Sequence, residues 1–273
     1  MSINPVRESV IAGSWYPAKK EVLESQIDGY LAKAKKEDNK GLIALVSPHA
    51  GYIYSGPVAA FAYKQIEGMK FNTVIIIAPS HYTAVKGASV YNRGAFRTPL
   101  GLVQVDEELS DKLIKSNPVF YFNEAAHREE HSLEIQLPFL QRVIGSFKMV
   151  PIVMWNKSFR NCKSLAETIS AIVTPGTLIV ASSDLSHYHS HEKAVELDKV
   201  VIKNIESFNA EMLSKNIDSG FCEACGAGPI ITAMLAAKIS GAKKARVLNY
   251  ASSGDTSGDY SRVVGYLAAG IYM

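Results

Sequence analysis

The sequence predicts an α/β protein, a three-layer α/β/α sandwich with a mostly parallel, mixed central sheet. Three apolar runs, at residues 42–47, 73–78 and 178–183, support this fold, because near-continuous hydrophobic strands are typical of parallel strands buried on both faces. Amphipathic segments alternate with these runs, which is the pattern of βαβ units with right-handed crossovers. No linker or low-complexity tract divides the 273 residues, so we expect one domain over residues 1–273.

Each further element follows from a local pattern. Leu23, Ile27 and Leu31 recur every four residues and predict an amphipathic helix over 21–35. Asp106 is suited to cap a helix that runs to Lys115. Short strands at 88–92, 96 and 102–105, separated by turn residues, predict an antiparallel excursion. The other expected helices cover about 57–66, 132–144, 163–172, 192–206, 209–215 and 228–239, and the other expected strands cover 149–154, 246–251 and 263–271.

The composition narrows the classes of function. Apolar residues make up 47% of the chain and charged residues 20%, and the net charge of +3 is too small to argue for nucleic-acid binding. No apolar stretch approaches the roughly 20 residues of a membrane span, and residues 1–14 lack the apolar core of a signal peptide. Three cysteines cannot form a disulfide framework. We therefore expect a cytoplasmic protein without nucleic-acid or membrane partners.

A histidine follows the carboxyl end of each of the three apolar runs, and these histidines are His49, His81 and His187. Ligands bind at this edge of an open α/β sheet, and imidazole is the commonest transition-metal ligand and a frequent general base. One such histidine is usually structural, but three at one edge predict a site. Asp184 lies three residues before His187 and could orient its imidazole, or could cap a turn.

A zinc-protease pattern competes with this interpretation. His127 and His131 are the two ends of an H-x-x-E-H match, in which both histidines bind zinc and the glutamate activates water. The pattern has only three fixed positions, and short motifs often match by chance. The alternative is a polar loop that lines the site, with His131 at the start of a helix.

Two further patterns are weaker. Ser182, Ser183 and Asp184 with His187 suggest a hydrolytic triad, but the G-x-S-x-G elbow is missing and Asp184 lies too close to His187 in sequence. The C-x-x-C of residues 222–225 lacks the context of a zinc ribbon or a thioredoxin-like site.

Several motifs together resemble those of the Memo family. They are, in chain order, AGSWYP at 12–17, PHAGYIYSG at 48–56, PSH at 79–81, EHSLEIQLPFL at 130–140, SSDLSH at 182–187 and CG at 225–226. The match covers most of the chain, so it is far more specific than any single motif.

The Memo family is similar in fold to the class III extradiol dioxygenases, which are non-haem iron enzymes of the same three-layer type. The resemblance implies that His49, His81 and Cys225 hold a metal ion. The dioxygenases bind iron through two histidines and a carboxylate, so a thiolate as third ligand shifts the preference toward copper or zinc without excluding iron. Extradiol cleavage therefore cannot be carried over from the fold.

The resemblance also implies roles around the metal. His187 corresponds to the acid–base histidine of the dioxygenases, and Asp184 lies beside it. Trp15 and Tyr54 match aromatic positions of the pocket. With His131, from the polar loop expected to line the site, they form the expected substrate-binding set.

Two functions from different classes follow. In the first, the protein is a dioxygenase-like oxidoreductase that depends on iron or copper, with zinc as the third candidate metal. In the second, the same pocket binds a small molecule or a peptide without turnover, because animal relatives are associated with receptor-tyrosine-kinase signalling and phosphopeptide binding. A zinc hydrolase is the minor alternative. Similar microbial proteins are often encoded beside AMMECR-type and radical-SAM proteins, which the resemblance suggests as partners.

Overall fold

A computed structural model describes residues 5–38 and 40–273 of the chain. The expected domain limits of 1–273 include residues 1–4 and 39, which lie outside this part. Within it, twelve strands belong to one sheet, and helices cover both faces of that sheet. The predicted three-layer α/β architecture is confirmed.

The strands follow one another in an order that mixes parallel and antiparallel neighbours. Their order in the sheet is β1-β5-β6-β8-β3-β9-β2-β12-β10, with β11 beside β12 and β4 beside β7 and β8. The pairs β6·β8, β8·β3, β3·β9 and β9·β2 are parallel, and β12 runs antiparallel to β2. The bounds are β1 (Val6–Arg7), β2 (Leu42–Ser47), β3 (Thr73–Pro79), β4 (Ala88–Val90), β5 (Ala95–Thr98), β6 (Gly101–Val105), β7 (Phe120–Tyr121), β8 (Lys148–Met154), β9 (Thr177–Ser182), β10 (Asp184–His189), β11 (Lys244–Ser252) and β12 (Val263–Tyr272).

The helices agree with most of the predicted segments. Their bounds are α1 (Lys20–Lys33), α2 (Tyr52–Lys64), α3 (Glu107–Ser116), α4 (Glu124–Arg128), α5 (His131–Glu134), α6 (Leu137–Ile144), α7 (Phe159–Ile172), α8 (His191–Glu206), α9 (Ala210–Asp218), α10 (Ala227–Ile239) and α11 (Gly254–Ser257). Asp106 caps α3 as predicted, since its side chain accepts a hydrogen bond from the backbone N–H of Leu109. Among the helices of the described residues, none combines the length and the apolar character needed to cross a bilayer.

The central strands divide the core into two layers. Side chains alternate across a strand, so Val74 and Ile76 of β3 pack with α1, α2 and α6 on one face. Ile75 and Ile77 pack with α7, α8 and α10 on the other face. All four side chains are fully buried. This burial on both faces is the physical reason why the strand is an uninterrupted apolar run.

Two predicted helices have different limits. Helix α2 begins at Tyr52 instead of residue 57, although Pro57 has no N–H to donate within the helix. Its first turn is anchored by a hydrogen bond from the Tyr52 N–H to the Trp15 carbonyl, at 2.8 Å. The predicted helix 132–144 is divided into α5 and α6 at Ile135 and Gln136. Pro138 explains the division, because it cannot donate to the carbonyl of Glu134.

The chain leaves β9 by a route that the sequence did not predict. After Ser182 it passes over the carboxyl end of β2, where the Ser183 N–H donates to the Ser47 carbonyl at 3.0 Å. It then pairs with β12 as the antiparallel strand β10. His187 therefore lies within a strand, and this strand occupies the space directly beyond the end of β2.

Candidate metal centre

Three side chains from distant parts of the sequence meet at the carboxyl edge of the sheet. His49 follows β2, His81 follows β3, and Cys225 lies in the loop directly before α10. One ligand atom from each of these residues lies within 4.8 Å of the other two. Two imidazoles and a thiol at this spacing form a set of donors that a transition-metal ion could bind.

The imidazole of His49 is buried and held at both nitrogens. Its Nδ1 lies 2.9 Å from Ser182 Oγ, and its Nε2 lies 3.1 Å from Cys225 Sγ. Its backbone N–H donates to Asp184 Oδ1 at 2.7 Å. Burial lowers the pKa of His49 well below its usual value, and the charge of His81 lowers it further. The imidazole is therefore neutral at physiological pH, as a metal ligand must be.

His81 is fixed by one carboxylate. Its Nδ1 lies 2.8 Å from Glu130 Oε1, and its backbone N–H donates to Glu130 Oε2 at 2.6 Å. Burial alone would raise the pKa of Glu130, but the hydrogen bonds and charge of His81 lower it to about 2. The ionised carboxylate accepts the Nδ1 proton and leaves Nε2 of His81 free. A histidine ligand held by a carboxylate in this way is a common arrangement at metal sites.

Cys225 reaches the cluster because a glycine follows it. A β-carbon on Gly226 would lie only 2.1 Å from the Ser182 carbonyl oxygen, so only glycine fits this close approach. The Asp184 N–H points at Cys225 Sγ over 3.3 Å. Burial and the Asp184 carboxylate raise the pKa of the thiol above its usual value. A bound cation would reverse this effect, because metal coordination deprotonates a thiol.

Asp184 and His187 lie beside the cluster, but not as the predicted pair. The Asp184 carboxylate accepts from the His49 backbone, and among the hydrogen bonds of the described residues none joins it to His187. Burial raises the pKa of Asp184 to about 6, against the His49 hydrogen bond and the charge of His187. The strand is irregular on both sides of His187, and Tyr188 has a φ of 63°. The backbone next to His187 is therefore strained at Tyr188, whereas in the described part of the chain His187 donates no hydrogen bond to Asp184.

Of the predicted substrate-binding residues, His131 contacts the candidate ligand His81, and Trp15 contacts His131. The rings of His131 and His81 stack with centroids 4.5 Å apart, and the ring of Trp15 lies 4.3 Å from that of His131. Burial lowers the pKa of His131 to about 3, so its ring is neutral. Trp15 and Tyr54 line a cavity of about 470 Å³ next to this group. His131, Trp15 and Tyr54 form an aromatic wall in which Trp15 links the cavity to His131, whereas the cavity lining itself contains neither His131 nor any of the three candidate ligands.

The two histidines of the zinc-protease pattern do not meet at one site, although Glu130 and His131 of the pattern form a second possible group of donors with His81. His127 lies in α4 and His131 starts α5, so the two histidines do not share a helical turn. His127 Nε2 lies 3.0 Å from Ser89 Oγ, and His127 belongs to neither candidate group of metal donors among the described residues. The alternative interpretation, a polar loop that lines the site with His131 at a helix start, matches the structure.

Arg7 holds the segment that contains His127, Glu130 and Glu134 in place. Its guanidinium donates to the carbonyls of His127 and Glu130, at 2.7 and 2.8 Å, and forms a 2.6 Å ion pair with Glu134. The Glu134 carboxylate also accepts from Tyr16 at 2.7 Å. This buried network joins the first strand to the segment that carries Glu130.

Sequence reasoning missed three residues of the site. Glu130 belongs to the H-x-x-E-H match and opens the EHSLEIQLPFL motif, but neither pattern indicated that it holds His81. Ser182 lies in the triad pattern and the SSDLSH motif, and Gln136 lies in the EHSLEIQLPFL motif, but none of these patterns indicated that Gln136 contacts Ser182 or that Ser182 contacts His49.

The sheet, its helical layers and the clustered donors define a three-layer α/β protein with a candidate metal centre at the carboxyl edge of its strands. A family model described as Memo-like protein matches residues 7–270. The chain therefore belongs to the Memo family, as its motifs predicted.

Relatives from distant microorganisms match the chain over nearly its whole length. It is 41% identical to a MEMO1 family protein of Sulfolobus acidocaldarius, which covers 96% of this chain and 98% of the relative. It is 41% identical to a MEMO1 family protein of Aquifex aeolicus, covering 96% and 97%, and 38% identical to one of Methanocaldococcus jannaschii, covering 98% and 99%. A crystal structure of an uncharacterized Escherichia coli K12 protein matches with a TM-score of 0.52 at 12% identity, covering 84% of this chain and 99% of that one. This likeness supports the fold alone.

Proposed function

We propose that this protein is a metal-dependent oxidoreductase whose ion is held by His49, His81 and Cys225. The observation that carries the proposal is the convergence of one ligand atom from each residue within 4.8 Å. A second observation also supports metal binding. Both imidazoles form hydrogen bonds within the protein through Nδ1, so Nε2 is the nitrogen of each ring that could bind the ion. The thiolate favours copper or zinc over iron without excluding iron.

The protein's own groups supply the remaining parts of the reaction. Iron or copper at this position would supply redox chemistry, whereas zinc would supply only Lewis acidity. His187 takes a proton from the substrate at a ring nitrogen and returns it to the product. Asp184 holds the His49 backbone and so fixes the distance between the ligand loop and the acid–base strand.

The substrate would bind against the wall formed by Trp15, Tyr54 and His131. Trp15 and Tyr54 line one cavity, and Trp15 contacts His131, whose ring stacks on the ligand His81. Aromatic walls favour a planar or apolar ligand, which gains contact area with little loss of conformational freedom. The cavity of about 470 Å³ suits a small molecule or one side chain of a peptide.

The second candidate function is recognition without turnover. It uses the same wall, and it is favoured by the partial exposure of Tyr54, at 38%, which leaves its ring free to contact a bound peptide. In this case the metal would have a structural role. AMMECR-type and radical-SAM proteins remain proposed partners under either function.

Metal analysis followed by oxygen-electrode measurements tests the proposal. Protein purified without oxygen is loaded with iron, copper or zinc and assayed with catechols and with a reductant. We expect about one ion per chain and oxygen uptake with iron or copper, and loss of both in His49→Ala and His81→Ala. His191→Ala, a histidine outside the cluster, is the control.

The outcomes separate the two functions. Stoichiometric metal without oxygen uptake under any of these conditions would favour the recognition function. Metal content that is the same in wild type and in both ligand variants would show that the cluster does not hold the ion.

A further inference from the structure

The protonation of His49 decides whether it can bind a metal through Nε2. A neutral imidazole carries one proton, on either Nδ1 or Nε2, and only the other nitrogen has a free lone pair. Nδ1 faces Ser182 Oγ at 2.9 Å, and Nε2 faces Cys225 Sγ at 3.1 Å. The partners of Ser182 therefore determine which tautomer is stable.

The Ser182 hydroxyl is surrounded by three partners. It lies 2.6 Å from the Ser132 carbonyl oxygen, 2.8 Å from Gln136 Nε2 and 2.9 Å from His49 Nδ1. A hydroxyl has one proton to donate and two lone pairs to accept with. The Ser132 carbonyl can only accept, so it takes the hydroxyl proton. Ser182 must then accept from both Gln136 and His49.

The orientation of Gln136 is fixed independently of Ser182. Its Nε2 donates to the Pro48 carbonyl at 3.0 Å, and its Oε1 accepts from the Tyr63 hydroxyl at 2.5 Å. A reversed amide would place its oxygen against the Pro48 carbonyl, so the NH₂ group must face Pro48 and Ser182. All of these polar groups are buried, which makes an unsatisfied partner costly.

We infer that Ser182 is a positioning residue that holds His49 with its proton on Nδ1. The reason is that the Ser132 carbonyl takes the hydroxyl proton and Gln136 is oriented to donate to Ser182. Nε2 then keeps a free lone pair directed at Cys225, which is the form a metal ion requires. The inference rests on the proposed function only for its consequence in metal binding. The tautomer itself is a property of the metal-free protein and can be measured there.

Nitrogen NMR of the imidazole rings tests the tautomer directly. Two-bond ¹⁵N–¹H spectra of metal-free protein labelled at its histidines distinguish a protonated ring nitrogen from an unprotonated one. The His49 signals are assigned by their loss in His49→Gln. We expect a protonated Nδ1 and an unprotonated Nε2 in wild type, and the reverse tautomer or a mixture in Ser182→Ala. Gln136→Leu should keep the wild-type tautomer, because the Ser132 carbonyl still takes the hydroxyl proton of Ser182.

Three comparisons separate positioning from a general effect on folding. Ser182→Thr keeps the hydroxyl and should restore the wild-type tautomer. Gln65→Leu removes another buried glutamine, whose Nε2 donates to the carbonyls of Lys35 and Phe61, and should leave His49 unchanged. Backbone amide spectra show whether each variant folds.

Metal titration of the same variants completes the test. Loss of a hydrogen bond that orients a ligand typically lowers metal affinity about 10–100-fold, so we expect this loss in Ser182→Ala but not in Gln65→Leu. A proton on Nε2 in wild type, or an unchanged tautomer in folded Ser182→Ala, would overturn the inference. A protonated Nδ1 in a protein that binds no metal would contradict the proposed function and leave the tautomer assignment standing.

Discussion

Glu130 accepts two hydrogen bonds from the same residue, His81, one from its backbone N–H at 2.6 Å and one from its Nδ1 at 2.8 Å. The first bond fixes the position of the loop after β3, and the second fixes the rotation of the imidazole. One carboxylate thus controls both the place and the direction of a candidate metal ligand. The carboxylate itself is buried.

Glu130→Gln should weaken metal binding. The amide cannot accept two hydrogen bonds with the strength of a carboxylate, so His81 loses its orientation and some of its basicity as a ligand. We expect a fall in affinity of about 10–100-fold, measured by competition with a chelator. Glu129→Gln changes the neighbouring exposed glutamate and should have no effect. Equal affinity in both variants would show that the carboxylate is not needed to orient His81.

Glu130 should also make the stability of the metal-free protein depend on pH. Its pKa falls from 4.5 to about 2 on folding, so its ionisation stabilises the folded state above the unfolded pKa. This contribution, on the order of 3 kcal/mol, is lost as the pH falls from about 5 to about 2. Asp184 has the opposite shift, so the difference between wild type and Glu130→Gln is the quantity to follow by urea denaturation. A difference that does not change over this range would contradict the prediction.

Cys225→Ser should change which metal is bound. An oxygen donor is harder than a thiolate, so affinity for copper and zinc should fall more than affinity for iron. Parallel titrations with the three metals measure the change. Cys222→Ser, which changes a buried cysteine three residues earlier, is the control. A uniform loss for all three metals would indicate a structural role for the thiol.

His187→Ala should separate catalysis from metal binding. A positioned proton-transfer group contributes about 10²–10⁴-fold to turnover, and His187 lies outside the group of ligand atoms. Metal content should stay the same while oxygen uptake falls by that factor. His189→Ala, on the same strand and paired with Glu223, should leave uptake unchanged. Uptake that is equal in wild type and His187→Ala would exclude the acid–base role.

Arg7→Met should destabilise the fold. It leaves the buried Glu134 carboxylate without its cation, and removal of one partner from a buried ion pair costs about 3–5 kcal/mol. Arg97→Met breaks the exposed pair with Glu8 and should cost less than about 1 kcal/mol. Urea denaturation measures both values. Similar values would mean that the Arg7 network adds little to stability.

Local sequence patterns were sufficient to predict the layers of the fold. The strand over 73–79 is an apolar run because both of its faces are covered, and this burial is visible in the composition of the run itself. His49 and His81 lie close together because β2 and β3 are parallel strands of one sheet, and parallel strands end at the same edge. The position of Cys225 came from the family motifs, because a loop cysteine carries no periodic signal.

Local sequence patterns could not predict which distant segments of the chain contact each other. Strand β10 pairs with β12 at Asp184 and Tyr266, and nothing near Asp184 specifies that partner. The bond between His81 and Glu130 joins residues that are 49 positions apart. The division of the predicted helix 132–144 could have been predicted, because its cause, Pro138, lies within the same segment.

The distance between the ligands along the chain also has a consequence during protein synthesis. Cys225 lies 176 positions after His49, so at roughly 5–20 residues per second the ribosome adds the thiol about 9–35 s after the first imidazole. Until then, a growing chain presents two histidines without the soft ligand. Any metal captured at that stage would be chosen by the imidazoles alone, and the thiolate can impose its preference only by exchange after translation has passed Cys225.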